Sequence, residues 1–374
     1  MNENRRMDKK WIKIGITHGD VNGIGYEVIL KTLADERLTE FCTPILYGSQ
    51  KIVFYHQKVM DLPPVNFKII NKAEEATDGK INLINCVDEN LKIEFGRSTH
   101  EAGLAASAAL ETATSDLKRG AIHTLLTAPI NKHSIRREDF QFPGHTEYLE
   151  KVFDDGGKHK SIMIMTSDSL RIALATTHIP LNEVKTKLTR ETIVEKLSLF
   201  NTSLIQDFGV IKPCIAVLAL NPHAGDNGVL GTEEDTIILP AIADAEKRGV
   251  SAFGPYPADG FFGSQSRHKF DGILAMYHDQ GLIPFKLLAM ENGVNYTAGL
   301  PMIRTSPAHG TAYDIAGQNI ASESSFRNAL YVSIDIFRKR KIYQEMTANP
   351  LRKQYVDKSG DNVKLDLTVE EPNE

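Results

Sequence analysis

Three histidines stand just behind strongly apolar runs: His178 after Ile172 to Thr177, His223 after Ile215 to Pro222, and His278 after Gly272 to Tyr277. Such runs read as buried strands of an α/β sheet, and these sheets place their chemistry beyond the carboxyl ends of their strands. Three imidazoles distant in sequence can therefore converge on one point. Three protein ligands with a fourth position left open make the arrangement of a catalytic metal, where a substrate oxygen is polarised. Each histidine also has a plainer reading, as a hydrogen-bonded loop residue at a strand end. Imidazole ligands accept zinc, magnesium, cobalt or manganese, so the residues alone leave the metal open.

The densest polar stretch runs from Tyr277 to Thr311 and contains Asp279, Gln280, Lys286, Asn295, Arg304, Ser306 and His309. Lys286 and Arg304 are fixed positive charges that could hold a phosphate or carboxylate, arginine as a two-pronged fork and lysine as a point charge. The alternative for each is a structural pair with a nearby carboxylate. Beyond them, His309-Gly310-Thr311 leads to Asp314, and a carboxylate beside an adenosine ribose would accept from both hydroxyls and repel a 2′-phosphate. An earlier glycine cluster, Thr17 to Gly25, meets neither the P-loop nor the GxGxxG pattern and is expected to be a tight turn opening a helix. Asn221 to Gly228 combines His223 with glycines that let the backbone approach a bound group.

The elements that must position these residues alternate along the chain. Strands are expected at Trp11 to Ile16, Pro44 to Tyr47, Lys80 to Val87, Ile122 to Thr127, Ser161 to Thr166 and Arg171 to Thr177, and in runs ending at Asn221 and His278. Helices are expected at Gly25 to Ala34, Ala102 to Leu117, Arg190 to Asp207, Thr232 to Lys247 and Phe326 to Arg340. This is an α/β pattern, and parallel strands are expected. With 374 residues, 41% of them hydrophobic and 24% charged, the chain can bury a full core and divide into two domains. A net charge of -5 with scattered signs offers no basic face, so no nucleic-acid partner is expected. Met1 to Lys10 lacks a signal peptide's apolar core and no run reaches the ~20 apolar residues of a membrane span, which predicts a cytoplasmic protein without a membrane partner. Cys42, Cys86 and Cys214 are too few and too scattered for a disulfide framework or a metal knuckle. The tail after about Ala348 is charged.

Over roughly Trp11 to Arg338 the chain closely resembles the bacterial 4-hydroxythreonine-4-phosphate dehydrogenase family. The resemblance rests on Gly19 to Gly25, Thr127 to Lys132, Phe142 to Glu147, Thr176 to His178, Leu220 to Gly225, Gly254 to Asp259 and Tyr277 to Gly281, in the family's order. It implies one divalent metal per site on His178, His223 and His278. Substrate contacts fall on His145, Thr146, Lys286, Asn295 and Arg304, with Asp259, Asp279 and Lys286 as catalytic candidates. His309, Gly310, Thr311 and Asp314 are similar to the adenosine-binding loop of isocitrate and isopropylmalate dehydrogenases, whose fold binds NAD without a GxGxxG. Ser322 stands where those relatives often carry an asparagine that contacts adenine, a departure from the pattern that bears on the cofactor's pose; the cofactor implied is NAD, with NADP the alternative.

The resemblance implies a two-domain α/β/α fold with the active site in the cleft: residues 1–130 with about 296–374 on the cofactor side, and 131–295 on the metal and dimer side. It implies a homodimer whose sites are completed in trans. The expected reaction oxidises the carbinol carbon of 4-phosphohydroxy-L-threonine with NAD, then loses carbon dioxide to give 3-amino-1-hydroxyacetone phosphate, in vitamin B6 synthesis. Two rivals share the fold: a paralogue oxidising threonate or erythronate 4-phosphate, for which the pocket changes are small, and a phosphate acyltransferase, which needs neither NAD nor a histidine triplet.

Overall fold

The computed structural model describes residues 11–132, 134, 135, 142, 144–156 and 159–350. The first ten residues and all of the expected tail beyond 350 lie outside them. Twelve strands form one sheet in the order β3-β4-β2-β1-β5-β12-β11-β6-β7-β10-β8-β9. One half comprises β1 (Ile12–Thr17), β2 (Cys42–Gly48), β3 (Phe67–Ile70), β4 (Ile81–Asn85) and β5 (Thr124–Thr127), paired in parallel throughout. The other half comprises β6 (Ile162–Thr166), β7 (Arg171–Leu174), β8 (Cys214–Leu218), β9 (Ser251–Tyr256), β10 (Gly272–Ala275), β11 (Val294–Ala298) and β12 (Arg304–Pro307). Helices cover both faces, so the strands are near-continuous apolar runs; every residue of β2 is buried.

The expectation of a parallel sheet fails at the centre, where β11 runs antiparallel to β12 and β6, and β6 antiparallel to β7. The links from β6 to β7 and from β11 to β12 are too short for a crossover helix, and only antiparallel neighbours can be joined so directly. Sequence periodicity also missed β3, β9, β11 and β12. It missed the helices α2 (Gln50–Val59), α4 (His145–Val152), α5 (Leu181–Lys187), α8 (Ala258–Gly263) and α9 (His278–Ala289) as well. Two of the long helices begin where hydroxyls cap them: Thr99 Oγ1 accepts from Ala102 N at the start of α3 (His100–Lys118), and Thr189 does the same for Thr192 at α6 (Arg190–Gln206). The helix expected over Thr232 to Lys247 is divided, with a π-helical turn at Glu234–Ile238 before α7 (Leu239–Lys247), because Pro240 brings no N–H to the ladder. The last helix, α10, runs over Ser324–Thr347, beyond the expected Arg340.

Two core clusters lie on the α10 side of the sheet, one built on Ile14, Ile16, Leu30 and Phe326, the other on Phe200, Val217, Leu274 and Tyr296. Val332 and Phe337 of α10 pack against both, so this helix straps the two halves together. The sheet is continuous, and an expected domain boundary at 295/296 falls inside β11. Among the described residues no helix is long and apolar enough to cross a membrane.

Candidate active site

Alternation along the central strands decides which side chains face the cleft, since successive residues point to opposite faces. On β12, Arg304 and Ser306 line the cleft, whereas Thr305 turns to the other face and donates to the Ala329 carbonyl of α10. On β6, Met163 and Met165 line it, while Ile162 and Ile164 enter the core. The cleft, about 280 Å³, therefore lies at the middle of the sheet opposite α10, and α4 contributes His145, Thr146 and Glu147 to its wall.

Arg304 is buried, and all its described hydrogen-bond partners are uncharged. Nε and Nη2 donate to Thr127 Oγ1 at 3.0 and 2.7 Å, Nη1 donates to Thr297 Oγ1 at 3.2 Å, and Nη2 lies 3.2 Å from His145 Nδ1. Burial lowers the guanidinium to about 10, partly offset by the Glu147 carboxylate. His145 is held well below its ordinary value, first by burial and then by the Arg304 and Lys132 charges, so it stands neutral. A buried cation without a carboxylate partner is costly unless an anion completes it. Three buried polar atoms lining the same cleft also lack partners among the described residues: His145 Nε2, Asn295 Oδ1 and His309 Nε2. Buried polar atoms are nearly always satisfied, so unpartnered ones clustered in one cleft mark a place for a ligand.

His178 and His278 enter this cleft just beyond the adjoining strands β7 and β10, with ring centroids 5.6 Å apart. Two imidazoles sharing one ion through bonds of about 2 Å place their centroids roughly 5 Å apart, so this pair suits a common metal. His278 Nδ1 lies 2.7 Å from Asp279 Oδ1, which leaves Nε2 free to ligate and fixes the ring's orientation. His178 is pushed below its ordinary value by burial, then by Lys132, and its neutral form is the ligating one. Contrary to the expected strand ends, β7 stops at Leu174, and His278 opens the helix α9 (His278–Ala289) rather than closing a strand. Gln280 secures that junction: Met276 N donates to its Oε1 at 2.7 Å, and its Nε2 donates to the Ala219 carbonyl at 2.6 Å.

His223 does not join the pair within one chain. It is exposed and outside the cleft lining, in a stretch where His223, Ala224, Gly225, Asp226 and Asn227 all take positive φ. Among the described residues no three His, Cys, Asp or Glu side chains are grouped to hold a metal. The strand before it stops at Leu218, short of the expected Asn221. Glu234 holds the start of the His223 stretch, accepting from Leu220 N at 2.9 Å and Asn221 N at 2.8 Å. Asp259, in the first turn of α8 (Ala258–Gly263), is likewise exposed and outside the lining.

Of the expected substrate contacts, His145, Thr146, Lys286, Asn295 and Arg304 all line the cleft. His309 and Gly310 line it too, whereas Thr311 and Asp314 lie beyond. Thr311 instead docks the loop onto the glycine cluster, its carbonyl accepting from Ile24 N at 3.0 Å. That contact explains Gly23, where a Cβ would stand 2.7 Å from the same oxygen. Asp20 adds a second tie, accepting from Tyr313 Oη at 2.7 Å. Lys132 and Glu147 also line the cleft, although only their place within quoted motifs pointed to them.

The profile of the family described as Pyridoxal phosphate biosynthetic protein PdxA matches residues 40–333. A 4-hydroxythreonine-4-phosphate dehydrogenase of Bacteroides thetaiotaomicron is 56% identical, covering 98% of this chain and 100% of its own. A D-threonate 4-phosphate dehydrogenase of Cupriavidus necator is 38% identical over 87% of this chain and 98% of its own. The crystal structure of 4-hydroxythreonine-4-phosphate dehydrogenase from Klebsiella pneumoniae superposes with a TM-score of 0.77 at 33% identity, covering 88% of this chain and 99% of that one. The profile match and the whole-length similarity agree: the chain belongs to the Pyridoxal phosphate biosynthetic protein PdxA family.

Proposed function

We propose that this chain oxidises 4-phosphohydroxy-L-threonine at its carbinol carbon, passing hydride to a nicotinamide cofactor, and that the resulting 2-amino-3-oxo acid phosphate loses carbon dioxide. The observation that carries this reading is the buried Arg304, held by neutral partners beside His178 and His278. Arg304, His145 and Asn295 would take the phosphate, and Thr146 would orient the adjoining carbon chain. The loop from His309 through Asp314 would hold the cofactor, the exposed Asp314 favouring NAD over NADP. Lys286 would set a fixed positive charge over the electron pair that departing carbon dioxide leaves behind.

A divalent ion suits the imidazole donors at His178 and His278, and when bound it would supply Lewis-acid polarisation of the reacting oxygen. His223 would complete that site from a second copy of the chain. Exposed apolar residues support the pairing: Leu181, Ile283 and Leu287 flank the His178 and His278 elements, and Val229 and Leu230 follow His223. Asp259 follows β9, which pairs with the strand preceding His223, so the two would enter the shared site together. Asp279 is assigned to holding His278 rather than to proton transfer. The division into a cofactor side, 1–130 with about 296–374, and a metal and dimer side, 131–295, belongs to the same reading.

Turnover of 4-phosphohydroxy-L-threonine by the purified protein, with NAD and a divalent metal, tests it through NADH absorbance and carbon dioxide release. Absence of both would overturn it. The Cupriavidus relative's printed activity supports a second reading, oxidation of threonate 4-phosphate, and the same assay with that substrate separates the two.

A further inference from the structure

Four fixed charges line the cleft among the described residues: Lys132, Lys286 and Arg304 are positive, and Glu147 is negative. For a site built around an anion the carboxylate is out of place. It repels a phosphate that carries about -1.5 to -2 at neutral pH. Glu147 lies in the first turn of α4, half-buried, with its side chain in the cleft lining. It lines the same cleft as Arg304, His178 and His278, and its negative charge acts on both Arg304 and His178. Gly144, at the N-cap of α4, stands against that carboxylate: a Cβ there would be 3.1 Å from Glu147 Oε2 and 3.9 Å from Lys132 Cε.

We infer that Glu147 is the specificity-determining residue that reads the positive ammonium on the carbon next to the reacting carbinol, and so selects a 2-amino acid phosphate over its 2-hydroxy counterpart. This deepens the function proposed above and rests on it. The substrate's phosphate and carboxylate meet Arg304, Lys132 and Lys286, and its one cation meets the one carboxylate. A hydroxyl in place of the ammonium would leave Glu147 facing an anionic ligand with nothing to offset it, and unpaired groups of this kind are what make polar sites selective. A competing role is open to the same residue, keeping buried Arg304 charged, and it would serve both substrates alike.

The test compares kcat/KM for 4-phosphohydroxy-L-threonine and for the 2-hydroxy acid 4-phosphate of matching configuration, using the metal-loaded full chain with NAD. In Glu147→Gln, the value for the amino substrate should fall 50-fold or more, chiefly through KM, while that for the hydroxy substrate stays within threefold or rises. Glu147→Asp, which keeps the charge on a shorter arm, should retain part of the preference. Equal losses on both substrates, or no change on either, would overturn the inference and leave the dehydrogenase reading standing. Wild-type protein that oxidises only the hydroxy acid would overturn the dehydrogenase reading itself.

Discussion

Arg304 Nε and Nη2 both donate to a single oxygen, Thr127 Oγ1, at 3.0 and 2.7 Å, across the joint between β12 and β5. One hydroxyl thus fixes the plane of a buried guanidinium and leaves its charge for a ligand. Arg304→Lys keeps the charge but loses the fork, and should raise KM for the phosphorylated substrate about 30-fold or more, roughly 2 kcal/mol. Thr127→Val should cost less, on the order of 1 kcal/mol, because the guanidinium remains but is no longer held. Steady-state kinetics at saturating NAD checks both; unchanged KM in Arg304→Lys would remove the phosphate from this site.

Asp279 should act through His278. Asp279→Asn weakens the acceptor that orients the ring, and losses of such supporting groups cost about 10- to 100-fold in metal affinity. Competition with a chromophoric chelator measures this directly. Metal affinity equal to wild type would show that the 2.7 Å contact only closes a surface turn.

Because His178 and His278 adjoin within one chain, mixing His178→Ala with His278→Ala protein should not restore activity: each mixed site lacks one of the pair. His223→Ala mixed with His278→Ala should restore it, because one of the two sites then holds His178, His278 and a second copy's His223. Refolded mixtures, with heterodimer formation verified by sedimentation, distinguish the two cases. Recovery in the first mixture would place the pair on different subunits.

His18, stacked on Tyr26 with ring centroids 5.1 Å apart, is lowered by burial to about 4. The folded state then resists a proton that the unfolded chain accepts below about 6.5, so stability is full above that pH and declines as pH falls from 6.5 towards 4. Between pH 7.5 and 5 this one group should cost about 2 kcal/mol. His18→Phe keeps a ring against Tyr26 and takes no proton, so its urea-unfolding free energy should fall by about that much less over the same interval. An identical pH dependence in variant and wild type would refute the linkage.

Gly23→Ala should push the Thr311 carbonyl away and loosen the loop that carries His309 and Asp314. The expected result is a KM for NAD raised about tenfold, on the order of 1.4 kcal/mol, with the phosphate-substrate KM little changed. A rise confined to the phosphate substrate would reassign the loop.

The apolar runs were legible because burial on both faces writes itself as unbroken hydrophobicity, as in β8 and β10. The central strands were not. Asn295 and Arg304 interrupt β11 and β12 with polar side chains because those faces line a cleft, and a strand serving a site loses the pattern that announces strands. His278 was legible as a site residue but not as the first residue of a helix, since the run before it continues the strand's composition. Glu147 was passed over because a lone carboxylate at a helix start reads as ordinary favourable placement near the positive end of the dipole. Only the company of Lys132 and Arg304 gives it another meaning.

The β12 to β5 ladder pairs only Arg304 with Leu125 and Thr305 with Leu126, and α10 runs across the opposite face, packed on both halves. A body pinned along its back and joined in front by so short a seam would bend most easily there, about a line through Arg304 and Thr127. On the proposed reading, a phosphate held by Arg304 would sit on that line and keep its contacts through such a bend. Phosphate affinity should then be the same in open and closed forms, and X-ray scattering with inorganic phosphate alone should show no compaction. Compaction by phosphate alone would place the fold line elsewhere.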